Sequence, residues 1–477
     1  MSALWSANEL VAATGGRPFG PAGPNVTGIS IDTRTLKPGD AFFAIKGDQF
    51  DGHDYATAAI KAGASLLVVA EGKLPALGRL KASMIVVSDV LEALGRAGAA
   101  ARARTRAKVI AVTGSAGKTI TKEALRHVLS SVGTVHAADK SFNNHWGVPL
   151  TLARTPQDCD FAIFEIGMNH PGEIRPLVKL VRPHIAIITL IAEAHLGFFD
   201  SLDEIARAKA EIFEGIEPDG YAILNRDDPR TRLLGKLARE ANVPHVVGFG
   251  ENPKAHFKLI DCNLSGDSSA ITAKIGGREV RAIIGAPGRH VVQNTLAVLG
   301  AAYLAGANLD KVATALATLS AEKGRGKRHL LPHSEGVVAL IDESYNANPT
   351  SVRAALNLLG STPVNGSGRR IAVLGDMLEL GTQSAKLHAA IAGDIASAGV
   401  DMVYLAGPEM GALAGALPEG FPVVHRQTTA ELSGLLTAEV RPGDAIMLKS
   451  SLRMGFARLV DALIDHFPAQ ATPSKRV

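Results

Sequence analysis

The stretch "VIAVTGSAGKTITKEAL", Val109 to Leu125, decides how the middle of this chain folds. Its first residues are apolar and β-branched, as in a strand buried on both faces, and its last residues carry apolar side chains at helical spacing. Between the two runs, Gly114 and Gly117 allow a tight bend that turns several N–H groups inward. We therefore predict a strand, a glycine-rich turn and a helix, the repeating unit of a parallel sheet with helices on its faces.

The turn has the composition of a phosphate-binding loop. A helix amino terminus favours an anion, Lys118 adds a full positive charge, and Thr119 supplies a hydroxyl suited to Mg²⁺. A glycine turn with a solvated lysine is the alternative, but Gly-Lys-Thr falls at the strand-to-helix junction that the motif requires. Val112 stands where the longer P-loop has a glycine, so this is the short form. The predicted loop consists of Thr113, Gly114, Ser115, Ala116, Gly117, Lys118 and Thr119.

Composition indicates a globular protein of several domains. The 477 residues suffice for two to four domains of about 100 to 200 residues each. Hydrophobic residues make up 46% of the chain and charged residues 20%, and the net charge of +4 is spread along the sequence. The basic cluster from Arg102 to Lys108 contains no aromatic residue, so we interpret it as a solvated linker or a helix end and expect no nucleic-acid partner.

The cysteines and the apolar runs bear on the compartment. Cys159 and Cys262 lie far apart and lack metal-ligand spacing, which argues against a disulfide framework or a zinc site. The start of the chain does not resemble a secretion signal, and no apolar run approaches the roughly 20 residues that span a bilayer. We expect a cytoplasmic protein, monomeric and without stable membrane insertion.

Alternating β-rich and helical runs predict an α/β fold with three domains. Residues 1–107 form a compact α/β unit, and residues 108–322 form the central unit with the P-loop and a parallel sheet. Within the central unit, residues 256–285 change to shorter alternating runs and predict antiparallel strands. The stretch "AEKGRGKRH", Ala321 to His329, looks like a linker. Residues 323–477 resemble a doubly wound, Rossmann-like sheet.

Several polar residues that could take part in binding or catalysis follow predicted strands or lie on predicted helices. Glu165 ends the strand "FAIFE", where a carboxylate could bind Mg²⁺ beside the P-loop, although strand-end glutamates are usually solvated. His195 follows the next strand run, and a lone histidine is more often structural than a ligand. Lys209, from spacing alone, is an ordinary exposed lysine on a helix. Asn294 lies four residues after His290 on one helix face, and could equally be a structural amide.

Longer motifs occur in order along nearly the whole chain: "TGSAGKTITKE", "SFNNHWGVPLTL", "FAIFEIGMNHPGEI", "AHLGFFDSLDEIARAKAEIF", "NRDDP", "DESYNANPTSV" and "VLGDMLELG". Together they closely resemble the Mur ligase family of peptidoglycan synthesis. "SYNANP" and "LGDMLELG" resemble the members that add a dipeptide, whereas their siblings add single amino acids.

The resemblance implies an ATP-driven peptide ligase. Its substrates would be UDP-N-acetylmuramoyl-tripeptide and D-alanyl-D-alanine, and its intermediate an acyl phosphate formed from the tripeptide carboxylate. The small first domain would bind the UDP group, the central domain would be the ATPase, and the third would bind D-alanyl-D-alanine. Such chemistry needs alignment of anions and neutralisation of charge more than covalent help from the protein.

The resemblance also assigns roles to residues. It implies ATP and two Mg²⁺ ions, with Lys118, Glu165, His195 and a carbamylated Lys209 as the catalytic set. Thr119, Glu165, His195 and Lys209 would contact metal. Asn294 would read adenine, Asp342 and Glu343 would contact ribose, and either Arg325 or Arg328 would reach the phosphates. The implied substrate contacts are Asp32, Thr33, Arg34, Lys46, Asp51, Gly52, His53, Asn143, Asn144, Tyr345, Asn346, Asn348, Lys449, Ser450, Ser451 and Arg453.

Three alternatives remain open at this point. The runner-up is another amide ligase of the same superfamily, either a folylpolyglutamate synthase or a Mur ligase that adds one amino acid. A nucleotide-driven motor or nucleic-acid protein is disfavoured, because the sequence has no concentrated basic face. A non-catalytic interaction protein is disfavoured by the presence of phosphate- and metal-binding residue types together.

Overall fold

The structure is a computed structural model, and it describes residues 3–139, 141–194, 196–333 and 335–467. Three separate β-sheets organise these residues, of five, nine and six strands. Among the described helices, none has both the length and the apolar character needed to cross a bilayer.

The N-terminal sheet has the strand order β1-β5-β4-β3-β2, and β1 alone is antiparallel to its neighbour. Short apolar strands, such as β4 with the sequence "LLVVA", are buried on both faces, as expected for a parallel sheet. The elements of this unit are α1 (Ala7–Thr14), β1 (Arg17–Phe19), β2 (Gly28–Ser30), β3 (Asp40–Phe43), α2 (Ala56–Lys61), β4 (Leu66–Ala70), α3 (Leu74–Leu77), β5 (Met84–Val87) and α4 (Val90–Arg104).

The central sheet has the order β14-β13-β12-β11-β10-β9-β6-β8-β7. Strands β6 to β12 pair in parallel, and β12, β13 and β14 form the antiparallel extension that the sequence predicts for residues 256–285. The elements are β6 (Lys108–Thr113), α5 (Lys118–Leu129), β7 (Val135–Ala137), α6 (Gly147–Ala153), β8 (Phe161–Glu165), α7 (Ile174–Val181), β9 (Ile185–Ile188), α8 (Leu202–Ala210), β10 (Tyr221–Asn225), α9 (Thr231–Glu240), β11 (His245–Gly250), β12 (Phe257–Leu264), β13 (Ser269–Ile275), β14 (Arg278–Ile284), α10 (Arg289–Leu304) and α11 (Leu309–Ala315).

The C-terminal sheet has the order β15-β16-β20-β17-β18-β19 and is parallel except for β15. Strand β15 corrects the sequence interpretation, because the end of the predicted linker is already paired with β16. The elements are β15 (Lys327–His333), β16 (Gly336–Glu343), α12 (Pro349–Ser361), β17 (Arg370–Gly375), α13 (Ser384–Ser397), β18 (Met402–Ala406), α14 (Met410–Ala416), β19 (Val423–Arg426), α15 (Thr429–Glu439), β20 (Ala445–Lys449) and α16 (Ala457–His466).

The two junctions between sheets differ in chemistry. Leu150 and Ala153, on helix α6 of the central unit, belong to the same buried apolar cluster as the N-terminal sheet. Full burial of a leucine contributes roughly 1.5 to 3 kcal/mol, so this junction has a true core. No apolar cluster among the described residues joins the central and C-terminal sheets. We propose boundaries at 107/108 and 322/323, because β6 begins at Lys108 and the last central apolar cluster ends at Leu319.

Strand β6 lies between β8 and β9, at the point where the connections leave in opposite directions. The carboxyl ends of these three strands therefore open a crevice, the place where ligands bind in open α/β sheets. The glycine-rich turn follows β6 directly. Fold topology thus places the motif of Val109 to Leu125 at the ligand-binding edge of the sheet.

Candidate active site

Two glycines shape the turn after β6. Gly114 has φ +150° and Gly117 has φ +81°, values that other residues rarely adopt. A Cβ atom on Gly114 would lie 1.9 Å from Thr189 Oγ1, and one on Gly117 would lie 2.7 Å from Asn294 Nδ2. Both positions therefore exclude a side chain, and the backbone packs directly against neighbouring elements.

The turn is also held by hydrogen bonds from the loop after β9. Ser115 N donates to Leu190 O at 2.7 Å, and Thr189 Oγ1 donates to the carbonyl of Ala116 at 2.5 Å. The backbone is therefore shaped before any ligand arrives, which is what a pre-organised anion site needs.

Lys118 is the first residue of α5, and its ammonium group folds back over the turn. Its Nζ donates to Gly114 O at 2.8 Å. Burial lowers the pKa of Lys118, the charge of Glu165 raises it, and the charge of Arg325 lowers it further. Lys118 of the loop and Arg325 of the linker before β15 therefore present two neighbouring cations to the same cavity.

Glu165 connects three elements at the crevice. It ends β8, is 4% exposed, and accepts hydrogen bonds from Thr119 Oγ1 at 2.8 Å and from Asn143 Nδ2 at 2.7 Å. Ser141 Oγ lies 3.3 Å from Thr119 Oγ1. The structure therefore brings together Thr119, Glu165 and Asn143, which the sequence placed in three separate motifs.

These groups suit a hard divalent cation. The donors are hydroxyl, carboxylate and amide oxygens, the ligand types that Mg²⁺ prefers. No group of three His, Cys, Asp or Glu residues that could hold a metal occurs in the described ranges. Mg²⁺ commonly keeps several waters and binds through one or two carboxylates plus substrate phosphates, so the carboxylate of Glu165 beside the hydroxyl of Thr119 suits it.

Lys209 lies on α8, which begins after Ser201, whose hydroxyl accepts a hydrogen bond from Glu204 N. Its side chain is 1% exposed, so the prediction from spacing of an ordinary exposed lysine is wrong. Burial lowers the pKa of Lys209 well below its ordinary value, and the positive charge of Lys118 lowers it further. Lys209 therefore gives up its proton at a much lower pH than a solvated lysine. His195, the other expected metal contact, lies outside the described residues.

Asn294, on α10, lies against the phosphate loop. Its amide packs against Gly117. Asn294, His290 and Gln293 line the cavity into which the phosphate loop and Glu165 also face. Gln293 Nε2 donates to Asp227 Oδ2 at 3.3 Å and to Glu251 Oε1 at 2.9 Å. The end of the cavity beyond the phosphate loop is thus rich in amide and carboxylate groups, as a nucleoside site would be.

The two arginines of the linker point to different places. Arg325 lines the cavity, its Nη2 donates to Ser141 Oγ at 3.2 Å, and its guanidinium carbon lies 4.0 Å from the centre of the Tyr345 ring. Arg328 is on β15, where it donates to the carbonyl of Gly266 and, at 3.2 Å, to Thr362 Oγ1. Of the two expected phosphate contacts, only Arg325 lines the cavity.

The two acidic residues at the end of β16, Asp342 and Glu343, also have different surroundings. Asp342 is fully buried and accepts hydrogen bonds from Gly324 N at 2.7 Å and Ser344 Oγ at 2.6 Å, so its carboxylate organises the linker. Glu343 lines the cavity, where Lys449 Nζ donates to its Oε2 at 3.0 Å. In this structure Glu343 and Lys449 are therefore each other's partners.

The remaining C-terminal residues lie at the cavity wall or behind it. Asn348 precedes α12 and caps it, because its side chain accepts a hydrogen bond from Ser351 N, and its Nδ2 donates to Ser115 O at 3.4 Å. Ser450 is buried behind the wall and donates to Ser451 O, whereas Ser451 Oγ accepts from Leu378 N at 2.8 Å. The cavity lining from this unit includes Tyr345, Asn346, Asn348, Lys449, Ser451 and Arg453.

A second cavity, of 2170 Å³, opens between the N-terminal sheet and the central unit. Asp32, Thr33, Arg34 and Gly52 line it. Other residues expected to contact the substrate instead form hydrogen bonds or ion pairs within the protein. His53 is buried, its Nδ1 is 2.6 Å from Asp51 Oδ1 and its Nε2 accepts from Ala70 N, while Lys73 pairs with Asp51 at 2.7 Å.

Two further expected substrate contacts also have local roles. Lys46 forms an isolated backbone bridge with Asp51 and is absent from the cavity lining. Asn144 Oδ1 accepts a hydrogen bond from Gly147 N at 3.0 Å at the start of α6. The polar stretches that contain them are therefore partly self-contained turns, which the sequence alone did not distinguish from ligand contacts.

Sequence reasoning missed Ser141 and Arg154. Ser141 contacts Thr119 and Arg325, and Arg154 lines the second cavity. Ser141 immediately precedes the quoted motif core "FNN", so its position was visible. Nothing local distinguished Arg154 from any other arginine at a helix end.

Comparison with known proteins agrees with this architecture. Three family profiles match: "Mur ligase family, catalytic domain" over residues 25–102, "Mur ligase middle domain" over 112–302, and "Mur ligase, glutamate ligase domain" over 329–452. Together they span all three sheets, in the order expected.

Relatives match along most of their length. The UDP-N-acetylmuramoyl-tripeptide–D-alanyl-D-alanine ligase of Rickettsia prowazekii is 34% identical over 92% of this chain and 95% of its own. That of Escherichia coli K12 is 33% identical over 91% of this chain and 93% of its own. A crystal structure of MurF from Acinetobacter baumannii has a TM-score of 0.83 at 30% identity, covering 97% of this chain and 99% of that one.

The α/β fold with a central parallel sheet, predicted from the strand and helix patterns, is confirmed by the sheets themselves and by these matches. The resemblance drawn from the sequence motifs is confirmed as well, since profiles and full-length relatives agree on one family. The chain belongs to the Mur ligase family.

Proposed function

We propose that this protein is an ATP-dependent ligase that joins the carboxylate of UDP-N-acetylmuramoyl-tripeptide to the amine of D-alanyl-D-alanine. One observation carries the proposal. A single cavity is lined both by the phosphate loop with Glu165 and by the "SYNANP" segment with Lys449 and Arg453. Groups suited to a triphosphate and groups suited to a zwitterionic peptide therefore face the same space.

The first step is phosphoryl transfer. A carboxylate oxygen of the tripeptide forms a bond to the γ-phosphorus of ATP while the bond to the β,γ-bridging oxygen breaks, giving an acyl phosphate and ADP. Lys118, Arg325 and the inward backbone N–H groups hold the phosphates and offset the charge that develops on them. A bound Mg²⁺ ion would neutralise phosphate charge, and Thr119 and Glu165 are the residues that fit it.

The second step is amide formation. The amine of D-alanyl-D-alanine bonds to the acyl carbon, the carbon–oxygen bond to phosphate breaks, and the amine loses a proton. Tyr345, Asn346 and Arg453 offer hydroxyl, amide and guanidinium groups on the C-terminal side of the cavity. These groups orient the dipeptide toward the acyl group, and orientation supplies much of the rate.

We infer that Lys209 is carbamylated. An amine must be neutral to bond to CO₂, and burial, which lowers the pKa of Lys209 well below its ordinary value, disfavours the charged form. The reaction converts R–NH₂ and CO₂ into R–NH–COO⁻ and a proton. The product carries a negative charge near Lys118 and therefore attracts that cation.

The proposed substrates also bear on location and assembly. ATP and UDP-linked wall precursors are compounds of the cytoplasm, so we place the enzyme there. Both cavities are formed by residues of one chain, which is consistent with a monomer acting alone.

The test is phosphate release measured with ATP, Mg²⁺ and UDP-N-acetylmuramoyl-tripeptide, with each amine supplied separately. D-alanyl-D-alanine should give rapid release and the pentapeptide product by mass spectrometry. Single amino acids should give little release. Release with a single amino acid, or with a folate substrate and glutamate, in place of the dipeptide would establish a sibling activity and overturn the proposal.

A further inference from the structure

Helix α6 crosses the junction between the central and N-terminal units. Its amino end follows the segment that carries Asn143, whose side chain donates to Glu165. Its carboxyl end is embedded in the other unit, where Trp5 Nε1 donates to Ala153 O at 2.9 Å and Leu150 is fully buried. A short rigid helix therefore connects the phosphate-transfer site with the 2170 Å³ cavity.

Arg154 lies at the carboxyl end of this helix and lines that cavity. Its Nε donates to Ile29 O on β2 at 2.6 Å, which fixes the guanidinium group beside the strand that leads to Asp32 and Arg34. Among the described residues, none accepts a hydrogen bond from its Nη atoms or forms an ion pair with it. The outer edge of the guanidinium group is thus available to a ligand.

Two other arginines that line the cavity are already engaged. Arg34 is bound by its own neighbour, with Nη2 at 2.6 Å and Nε at 2.9 Å from the carboxylate oxygens of Asp32. Arg104 donates to Leu4 O and lies over the Trp5 ring. Arg154 is therefore a fixed cation with donors to spare.

The electrostatic setting of Arg154 favours an anion. Burial lowers its pKa, and the charges of Asp40 and Asp139 act in the opposite direction without contacting it. A partly desolvated cation that has no anionic partner in contact has lost hydration without full compensation, so binding of an anion restores that loss. A planar guanidinium with two free donors matches phosphate oxygens in a two-pronged contact.

We propose that Arg154 binds the diphosphate of the UDP-linked substrate, so that the central unit itself holds the nucleotide end of the acyl substrate. This inference rests on the proposed function. The contact with Ile29 places Arg154 beside the Asp32–Arg34 loop, in the cavity away from Lys118 and Glu165. The diphosphate is the doubly charged group nearest the uridine, whereas the carboxylate that reacts must extend to the other cavity.

The experiment is calorimetric binding of UDP and uridine to wild type, Arg154→Gln, Arg154→Lys and the control Arg106→Gln. Gln removes the charge but keeps a donor for Ile29 O, and Lys keeps the charge without the planar fork. UDP affinity should fall about 10- to 100-fold in Arg154→Gln and less in Arg154→Lys. Arg106 lines the same cavity with an exposed side chain and should change UDP affinity less than about threefold.

Three further readouts separate the possible outcomes. Uridine binding and KM for ATP should be unchanged in Arg154→Gln, since neither involves the diphosphate, whereas a general loss of structure would alter both. Unchanged UDP affinity with a raised KM for the tripeptide substrate would mean that Arg154 binds a peptide carboxylate and would overturn the inference. Failure of wild type to bind UDP at all would instead overturn the proposed function.

Discussion

Thr119 Oγ1 donates a hydrogen bond to Glu165 Oε2 at 2.8 Å, joining the phosphate-loop helix to the end of the neighbouring strand β8. Asn143 donates to the other oxygen of the same carboxylate at 2.7 Å. The carboxylate is thereby fixed within the crevice before ligands bind. Its orientation does not have to be established during the reaction, which is the essence of pre-organisation.

Replacement of Glu165 by Gln tests the need for its charge. The amide oxygen can still accept a hydrogen bond from Thr119, so we expect the fold to be retained. Loss of the negative charge should weaken Mg²⁺-dependent turnover by about 100-fold or more, with a higher Mg²⁺ concentration required for half-maximal rate. Titration of phosphate release with Mg²⁺ measures both. Glu240→Gln, at an exposed position of α9, is the control. A Mg²⁺ profile like that of the control would refute the role.

Replacement of Lys118 by Met removes the cation that folds over the turn. We expect phosphate release to fall about 1000-fold, because the charge acts most strongly while the phosphoryl group moves. UDP binding should persist, since Lys118 does not line the 2170 Å³ cavity. Steady-state kinetics and calorimetry measure the two effects. Lys311→Met, with an exposed side chain on α11, should match wild type in both. Substantial turnover by Lys118→Met would contradict the assignment.

Part of this site is predictable from sequence because its signals are local. The glycine turn follows one strand and Glu165 ends another. Because parallel strands end at the same edge of a sheet, the topology predicted from the sequence already brings the turn and Glu165 together. Arg325 and Arg328 show where local signals fail. They lie three residues apart, but β15 begins at Lys327, so one remains in the linker and the other is committed to a strand. Only the pairing of β15 with β16 decides between them.

Burial was the other property hidden from the sequence. His53 stands in a polar stretch but turns inward, because Asp51 and the N–H of Ala70 satisfy both ring nitrogens. Lys209 occupies a helix position that spacing alone assigns to solvent, yet packing of α8 encloses it. Contacts between distant segments determine both outcomes, and no local pattern encodes them.

Replacement of Lys209 by Ala tests carbamylation, because an added carboxylate can then stand in for the lost carbamate. Activity should be lost, and short carboxylates such as acetate should restore part of it by occupying the vacated volume with a negative charge. Wild-type activity should also fall in CO₂-depleted buffer and recover with bicarbonate. Phosphate release measures each effect. The absence of rescue, together with wild-type activity that ignores CO₂, would rule out the carbamate.

The unmodified Lys209 also predicts a pH dependence of stability. Its folded-state pKa is lowered well below 10.5, so between the two values the unfolded chain binds one more proton than the folded protein. Stability should therefore rise with pH across that window, by at most about 1.4 kcal/mol per pH unit from this group. In CO₂-free buffer, Lys209→Met should be more stable than wild type at pH 7, with the difference shrinking toward pH 10. Urea unfolding at each pH measures this. A constant difference would contradict the lowered pKa.

The C-terminal unit should move when ligands bind. It meets the central unit through polar contacts, such as Thr350 Oγ1 to Glu193 Oε2 at 3.2 Å and Gly197 N to Glu379 O at 2.9 Å. The N-terminal unit, by contrast, shares an apolar core with the central unit. A hydrogen bond contributes only about 0.5 to 1.5 kcal/mol net between neutral groups and about 1.5 to 3 kcal/mol when one partner is charged, so a few such contacts leave the arrangement easily opened. Because the proposed ATP and dipeptide contacts lie on both sides of the cavity, ligands should favour the closed arrangement.

Small-angle X-ray scattering measures this motion as a decrease in the radius of gyration upon addition of a non-hydrolysable ATP analogue with UDP-N-acetylmuramoyl-tripeptide. Thr350→Val removes one closing contact and should require more ligand for the same decrease. Thr382→Val, in an exposed turn, should behave as wild type. Superimposable curves with and without ligands would show that the polar junction is as rigid as the apolar one and would contradict the expected movement.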